Sequence, residues 1–315
     1  MDYKKRVSIL VGGIIGLSIA GAGMWWHAAP REISGPVVMA QPKGEQLRFL
    51  AVGDTGTGGD AQLVVAARME SRCKTGVKPT AILLLGDNFY QDGVASADDE
   101  QWQSKMWKPY GSECLSGLPI YGVLGNHDYK GNPGAQIVQS GKIPRWHMPA
   151  RNYVVRFENM LELVVLDSNT VDRCFIPSLC TIDFLESRVH AADRAHWNIA
   201  LAHHPIVSAS AKHLDEQSEL YRNRMKPDVC GFMDVMLTGH AHHMEHARLS
   251  GCPTEFFISG GGGADLYPIL ANKEGSRFVR SAHGFLDVNV EPQSMNLTFV
   301  DVLGEEVYRF TITKP

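Results

Sequence analysis

Short apolar segments, each followed at once by glycine and a polar residue, recur along the chain. Residues 47–52 precede Gly53 and Asp54, and residues 81–85 precede Gly86 and Asp87. Apolar runs of this length are typical of strands buried on both faces. The pattern therefore predicts strands whose carboxyl ends carry polar side chains, which is where ligands bind in open α/β sheets.

The same pattern continues through the rest of the chain and alternates with helical spacing. Further strands are predicted at residues 120–124, 153–157, 161–167, 197–202, 235–237 and 255–258, with three alternating strands within 284–312. Apolar positions at helical spacing predict helices at residues 60–73, 98–108, 182–195 and 218–225. Strands that alternate with helices indicate the α/β class, and the sequence shows no internal repeat or second folded domain.

Residues 1–30 are predicted to lie outside the folded domain. Three basic residues precede residues 7–26, which carry no charge and at about 1.5 Å per residue span about 30 Å, the thickness of a bilayer core. This segment is either a signal peptide cleaved near residues 20–22 or an uncleaved membrane anchor. In both cases the folded domain is expected to lie outside the cytoplasm, either in the periplasm or as a secreted protein. Residues 31–46 are predicted as a linker, and 47–315 as one domain.

Charge and cysteine content narrow the possible functions. The formal net charge is −4, which gives no electrostatic basis for nucleic-acid binding. The six cysteines contain no CxxC pair, so a zinc ribbon is not indicated. An even number of cysteines in an exported chain suggests disulfides, and Cys174 with Cys180 is the predicted pair. Buried free thiols are the alternative.

Five predicted strand ends carry residues that can bind a metal, namely Asp54, Asp87, Asn126, His203 and the pair His240 and His242. One such residue would be ordinary turn chemistry, but five in one chain are hard to explain in that way. Carboxylate and amide oxygens combined with imidazoles suit Zn, Fe or Mn. The ligand number fits two metals that share a bridging carboxylate, an arrangement used to displace phosphoryl groups.

With their neighbours, these residues resemble the motif series of the purple acid phosphatases, a branch of the calcineurin-like metallophosphoesterases. The matching segments are residues 53–56, 86–90, 125–128, 203 and 239–242. The small single-domain type, typified by mammalian tartrate-resistant acid phosphatase, is similar over about residues 47–313. The resemblance implies a four-layer α/β sandwich of two mixed β-sheets flanked by helices.

The resemblance also implies a role for each ligand. A ferric ion would take Asp54, Tyr90 and His242, and Asp87 would bridge the two metals. A divalent Fe, Zn or Mn ion would take Asn126, His203 and His240. Tyr90 separates this branch from relatives that have a histidine two residues after the first aspartate, where Gly56 stands here. A tyrosine packed in the core is the alternative interpretation of Tyr90.

The implied activity is hydrolysis of small phosphate monoesters by metal-activated hydroxide. Asn126, His127 and His213 would contact the substrate, and His127 and His213 are the candidate catalytic residues, because a histidine can protonate the leaving group below neutral pH. A phosphodiesterase or nucleotidase on the same site is the alternative. A non-enzymatic anchored binding protein would be expected to lack some of the ligands. His204, His243 and His246 are either supporting groups or packing residues.

Overall fold

The computed structural model describes residues 38–40, 46–171, 180–212, 219–270 and 275–315. Within these ranges the strands form two sheets. The first sheet has the strand order β1-β6-β7-β8-β9-β11-β10-β12. Its strands are β1 (Val38–Ala40), β6 (Tyr153–Phe157), β7 (Leu161–Val165), β8 (Trp197–Leu201), β9 (Val235–Thr238), β10 (Met244–Ala247), β11 (Glu255–Ser259) and β12 (Ser276–Arg280).

The second sheet has the strand order β15-β14-β13-β2-β3-β4-β5. Its strands are β2 (Leu47–Val52), β3 (Ala81–Leu84), β4 (Ile120–Gly122), β5 (Trp146–His147), β13 (Gly284–Val290), β14 (Ser294–Asp301) and β15 (Glu306–Thr313). Strands β2 to β5 are parallel, whereas β13, β14 and β15 are antiparallel. The predicted three-stranded meander in the tail is therefore confirmed, and both sheets are mixed.

Four α-helices flank the two sheets in the described ranges, namely α1 (Asp60–Cys73), α2 (Pro133–Ser140), α3 (Thr181–Val189) and α4 (Glu219–Val229). Strand β8 shows how the layers pack. Ile199 belongs to the core between the sheets, whereas Ala200 belongs to a second core together with Leu185 of α3 and Met225 of α4. Both faces of β8 are thus covered by apolar side chains, which explains why this strand is apolar throughout.

The sheets face one another across a core of aromatic and aliphatic side chains. The rings of Phe49 on β2 and Phe157 on β6 pack edge to face with centroids 5.4 Å apart. On the other side of the second sheet, Val65 and Met69 of α1 are buried in the same core cluster. Each large apolar side chain that is fully buried contributes about 1.5–3 kcal/mol to folding. The predicted four-layer α/β architecture is confirmed.

Several local predictions differ from the structure. Val38–Ala40 lies in the predicted linker but forms a strand parallel to β6, because these apolar residues can pair with an otherwise open sheet edge. The predicted helix at 98–108 is a π-helix at Trp102–Trp107, and α3 ends six residues before the predicted residue 195. Helix α2 and strands β5, β10 and β12 were not predicted.

Two disulfides lie within the described ranges, Cys73–Cys114 and Cys230–Cys252. Cys180 is also disulfide-bonded, but its predicted partner Cys174 lies outside the described residues. Disulfides of this number indicate an extracytoplasmic protein. No helix in the described ranges is long and apolar enough to cross a bilayer, and the predicted signal or anchor segment 7–26 falls outside those ranges.

Candidate metal centre

The candidate residues meet at one edge of both sheets. Asp54, Asp87 and Asn126 follow β2, β3 and β4, which are adjacent and parallel in the second sheet. His203 and His240 follow β8 and β9, which are adjacent and parallel in the first sheet. Because parallel strands end at the same edge, the topology gathers each group at one edge of its own sheet. The two edges are joined where the Gly53 N–H, just after β2, donates to the carbonyl of Ser259 on β11 over 2.7 Å.

The backbone at this edge is unusual at three of the candidate residues. Asp54, Asp87 and His240 have positive φ angles of 59°, 53° and 67°. Non-glycine residues rarely adopt this left-handed conformation, and it is concentrated at functional sites. The fold therefore accepts local strain at positions where the predicted chemistry needs side chains aimed into the site.

Asp54, Tyr90 and His242 form the first group. The Tyr90 hydroxyl donates to Asp54 Oδ1 over 3.1 Å and lies 3.1 Å from His242 Nε2. His242 Nε2 is 3.4 Å from Asp54 Oδ1. Burial, and then the negative charges of Asp54 and Asp87, raise the pKa of Tyr90 well above its usual value. Ionisation of this phenol would need a strongly charged cation beside it.

Asn126, His203 and His240 form the second group. Asn126 Oδ1 lies 3.0 Å from His203 Nε2 and 3.1 Å from His240 Nδ1, and the two ring nitrogens are 3.3 Å apart. Both imidazoles are buried. Three polar atoms from three different strand ends thus converge within hydrogen-bonding distance of one another.

Asp87 lies between the two groups. One carboxylate oxygen of Asp87 approaches Asp54 and His203, with the three ligand atoms within 4.8 Å of one another. Its Oδ1 is 3.5 Å from His203 Nε2 and accepts the backbone N–H of His127 over 2.8 Å. The side chain is 1% exposed. A buried carboxylate in this position is costly unless positive charge offsets it.

The donor set fits bound metal ions. His203 Nδ1 lies 2.9 Å from the Leu85 carbonyl and His242 Nδ1 lies 2.6 Å from the Asp265 carbonyl. These carbonyls can only accept, so each Nδ1 carries the proton and each Nε2 presents a lone pair to the site. Lone pairs on imidazole, amide and carboxylate atoms then face one another at about hydrogen-bonding distance, and cations between them would remove the repulsion.

Glycines allow the loops to approach this closely. A Cβ atom on Gly86, which has a φ of 91°, would lie 2.4 Å from His203 Nδ1. A Cβ atom on Gly260 would lie 2.1 Å from the Ala241 carbonyl and 3.0 Å from Asp54 Oδ2. The backbone at Gly260 therefore passes close to the Asp54 carboxylate, where a larger residue would not fit.

One residue beside the site received no role from the sequence. The buried carboxylate of Asp128 accepts the backbone N–H groups of Gly125, Asn88 and Phe89 over 2.8 to 3.2 Å. Burial, and then the Asp87 carboxylate, raise the pKa of Asp128 to about 7. Asp128 ties the loop after β3 to the loop after β4, and its place in the 125–128 motif was the available signal.

His127 lies beside the centre and not among its predicted ligands. Its Nδ1 is 2.6 Å from the Gln91 carbonyl, and its ring centroid is 4.3 Å from that of Tyr90. Because the Gln91 carbonyl can only accept, this contact favours a proton on Nδ1. The ring itself is partly exposed. His213, the second candidate catalytic residue, lies outside the described residues.

The three additional histidines differ in their surroundings. His243 is buried and lies 2.8 Å from Glu245, and His246 is buried and lies 2.9 Å from Glu255. Both are interior residues held by carboxylates of β10 and β11. His204 is only partly buried, and its ring lies against His240 with centroids 4.5 Å apart.

Comparisons with known proteins agree with the predicted family. The family described as calcineurin-like phosphoesterase matches residues 47–244. Purple acid phosphatase 4 of Arabidopsis thaliana is 28% identical over 290 residues, which cover 85% of this chain and 84% of that protein. Tartrate-resistant acid phosphatase type 5 of Mus musculus is 27% identical and covers 85% of this chain and 90% of its own length.

Two solved structures share the fold. The purple acid phosphatase PPD1 of yellow lupin has a TM-score of 0.69 at 16% identity, covering 86% of this chain and 54% of that chain. GAP50 of Plasmodium, described as the anchor in the inner membrane complex, has a TM-score of 0.73 at 21% identity. The match covers 86% of this chain and 90% of that chain. At these identities the likeness concerns the fold alone.

The resemblance to purple acid phosphatases is therefore confirmed, and with it the predicted enzyme class, a metal-dependent phosphoric monoester hydrolase. The relatives imply a dinuclear metal centre, whereas the assignment of individual ligands stays a prediction. The family match over more than half of the chain and the two sheets that carry the candidate residues lead to one identification. The chain belongs to the calcineurin-like phosphoesterase family.

Proposed function

We propose that the protein is an exported acid phosphatase that hydrolyses phosphate monoesters at a centre of ferric iron and a divalent Fe, Zn or Mn ion. The observation that carries the proposal is the first group of residues. A buried tyrosine hydroxyl lies 3.1 Å from both the Asp54 carboxylate and the His242 imidazole. A phenolate is a hard, charged donor, so this set favours a ferric ion over a softer metal.

In this proposal Asp54, Tyr90 and His242 hold the ferric ion, Asn126, His203 and His240 hold the divalent ion, and Asp87 bridges the two. When bound, the two ions would activate water and offset the charge that builds on the phosphoryl oxygens. The described residues supply every one of these seven side chains. A binding protein that had lost catalysis would be expected to lack at least one of them.

His127 is proposed to face the substrate. The Gln91 carbonyl accepts from Nδ1 over 2.6 Å and thereby fixes the ring, which leaves Nε2 to exchange a proton with the leaving oxygen. The Asn126 amide would also contact the phosphate. His213 is proposed as a second substrate contact, on the resemblance alone.

A substrate panel tests the proposed activity. We expect aryl phosphate monoesters to be hydrolysed in mild acid with a kcat/KM at least about tenfold above that for bis-aryl phosphodiesters, a difference of about 1.4 kcal/mol in transition-state stabilisation. Nucleotides complete the panel. Protein carrying Asp87→Asn, prepared in parallel, corrects for contaminating phosphatases. A preference for the diester would favour the phosphodiesterase, and a preference for one nucleotide would favour the nucleotidase. Either result would contradict the proposed phosphatase of general monoesters.

A further inference from the structure

A third imidazole lies beside the proposed divalent site. One ring nitrogen each of His203, His204 and His240 lie within 4.8 Å of one another. The His204 ring centroid is 4.5 Å from that of His240 and 5.0 Å from that of His203. Consecutive side chains in a strand point to opposite faces, but β8 ends at Leu201, so both histidines can turn to the same side.

The surrounding residues hold His204 in this orientation. Ser168 Oγ, itself buried, accepts the His204 backbone N–H over 3.1 Å and lies 2.8 Å from the ring Nδ1. The Tyr221 hydroxyl donates to the His204 carbonyl over 2.6 Å. The ring and backbone are thus fixed from the turn after β7, which carries Ser168, and from α4, which carries Tyr221.

We propose that His204 is an additional ligand for the divalent ion, so that this site offers three imidazoles in place of two. The proposal rests on the dinuclear centre proposed above. A serine oxygen has two lone pairs, so Ser168 can accept both the backbone N–H and the ring Nδ1–H. In that tautomer Nε2 is the nitrogen of His204 that can bind a metal, and the contact of Nδ1 with Ser168 over 2.8 Å orients the ring as outer partners of ligand histidines do.

A third imidazole has a consequence for metal preference. Imidazole suits Zn and Fe, whereas Mn prefers oxygen ligands. His204 therefore raises the affinity of the site for Zn²⁺ more than its affinity for Mn²⁺. The substitution His204→Gln should therefore reduce the preference of the site for Zn²⁺ over Mn²⁺.

The experiment measures metal binding directly. The full chain is freed of divalent metal by mild chelation and titrated with Zn²⁺ or Mn²⁺ against a chromogenic chelator. Loss of an outer partner alone lowers metal affinity about 10–100-fold, so His204→Gln should lower Zn²⁺ affinity at least about tenfold and Mn²⁺ affinity less. X-ray absorption of the zinc-loaded protein should show fewer imidazoles per zinc. His204→Asn provides a second variant if the first is unstable.

Two further variants separate the possible outcomes. His190→Gln changes an exposed histidine and should alter neither affinity nor imidazole number, whereas His203→Gln should abolish Zn²⁺ binding at the divalent site. If His203→Gln abolishes Zn²⁺ binding but His204→Gln leaves it unchanged, His204 is not a ligand. This holds even if the KM of the His204→Gln enzyme rises. If neither variant changes Zn²⁺ binding, the proposed metal centre itself is wrong.

Discussion

Asp87→Asn is expected to remove essentially all phosphatase activity while the protein stays folded. Asp87 is 1% exposed and lies between the two proposed metal positions. Metal ions supply several kcal/mol of transition-state stabilisation, so kcat/KM on an aryl phosphate should fall roughly 10³-fold or more. Asparagine matches aspartate in size and tolerates the positive φ of this residue, so circular dichroism should be unchanged. Metal analysis should show that both ions are lost.

Asp98→Asn is the matched control for this substitution. Asp98 is 81% exposed and pairs with Lys142 at the surface, where an ion pair contributes about 0–1 kcal/mol. Its activity and metal content should equal those of the unmodified protein. An Asp87→Asn protein that keeps a substantial part of its activity with both metals bound would refute the bridging role.

Among the proposed substitutions, Asp287→Asn is expected to lower the free energy of unfolding most. Asp287 lies on β13 and is fully buried. It accepts from Arg48 Nε over 2.9 Å and Nη2 over 2.7 Å, and from Arg72 Nε over 2.6 Å. Arg48 is itself only 3% exposed. Removing one partner leaves a buried charge without compensation, which costs about 3–5 kcal/mol. Urea unfolding of the metal-free protein measures this loss.

The exposed ion pair of Asp98 and Lys142 provides the control for this loss of stability. Asp98→Asn should change the free energy of unfolding by less than about 1 kcal/mol. Arg48 also donates to the carbonyls of Thr75, Val77 and Arg72. These hydrogen bonds would partly stabilise its charge without the carboxylate. A loss below 1 kcal/mol in Asp287→Asn would mean that these carbonyls suffice and that the carboxylate adds little.

The sequence predicted elements whose signal is local. Residues 47–52 and 60–73 were predicted with the bounds that β2 and α1 have in the structure, because continuous apolar runs and helical spacing lie within the segments themselves. Strand β12 was missed because its side chains are half-buried and exposed, and it exists through its pairing with β10. Such pairings depend on residues far apart in the chain.

The candidate centre likewise combines features with a local sequence signal and contacts between residues far apart in the chain. Most of its residues could be predicted because they lie just after apolar strands, and parallel topology gathers them at one edge of each sheet. Tyr90 was assigned through the family resemblance alone. The groups that orient them could not be predicted. Ser168 lies 36 residues before His204, and the Asp265 carbonyl that fixes His242 belongs to a loop 23 residues away. Neither contact leaves a pattern in the local sequence.

The visible absorption spectrum of the purified protein, measured together with its iron content, tests the central claim most directly. If Tyr90 binds ferric iron, the protein has a charge-transfer band in the visible range. Tyr90→Phe then abolishes this band, because phenylalanine keeps the ring and lacks the oxygen donor. A colourless, active enzyme that contains only Mn or Zn would contradict the ferric centre.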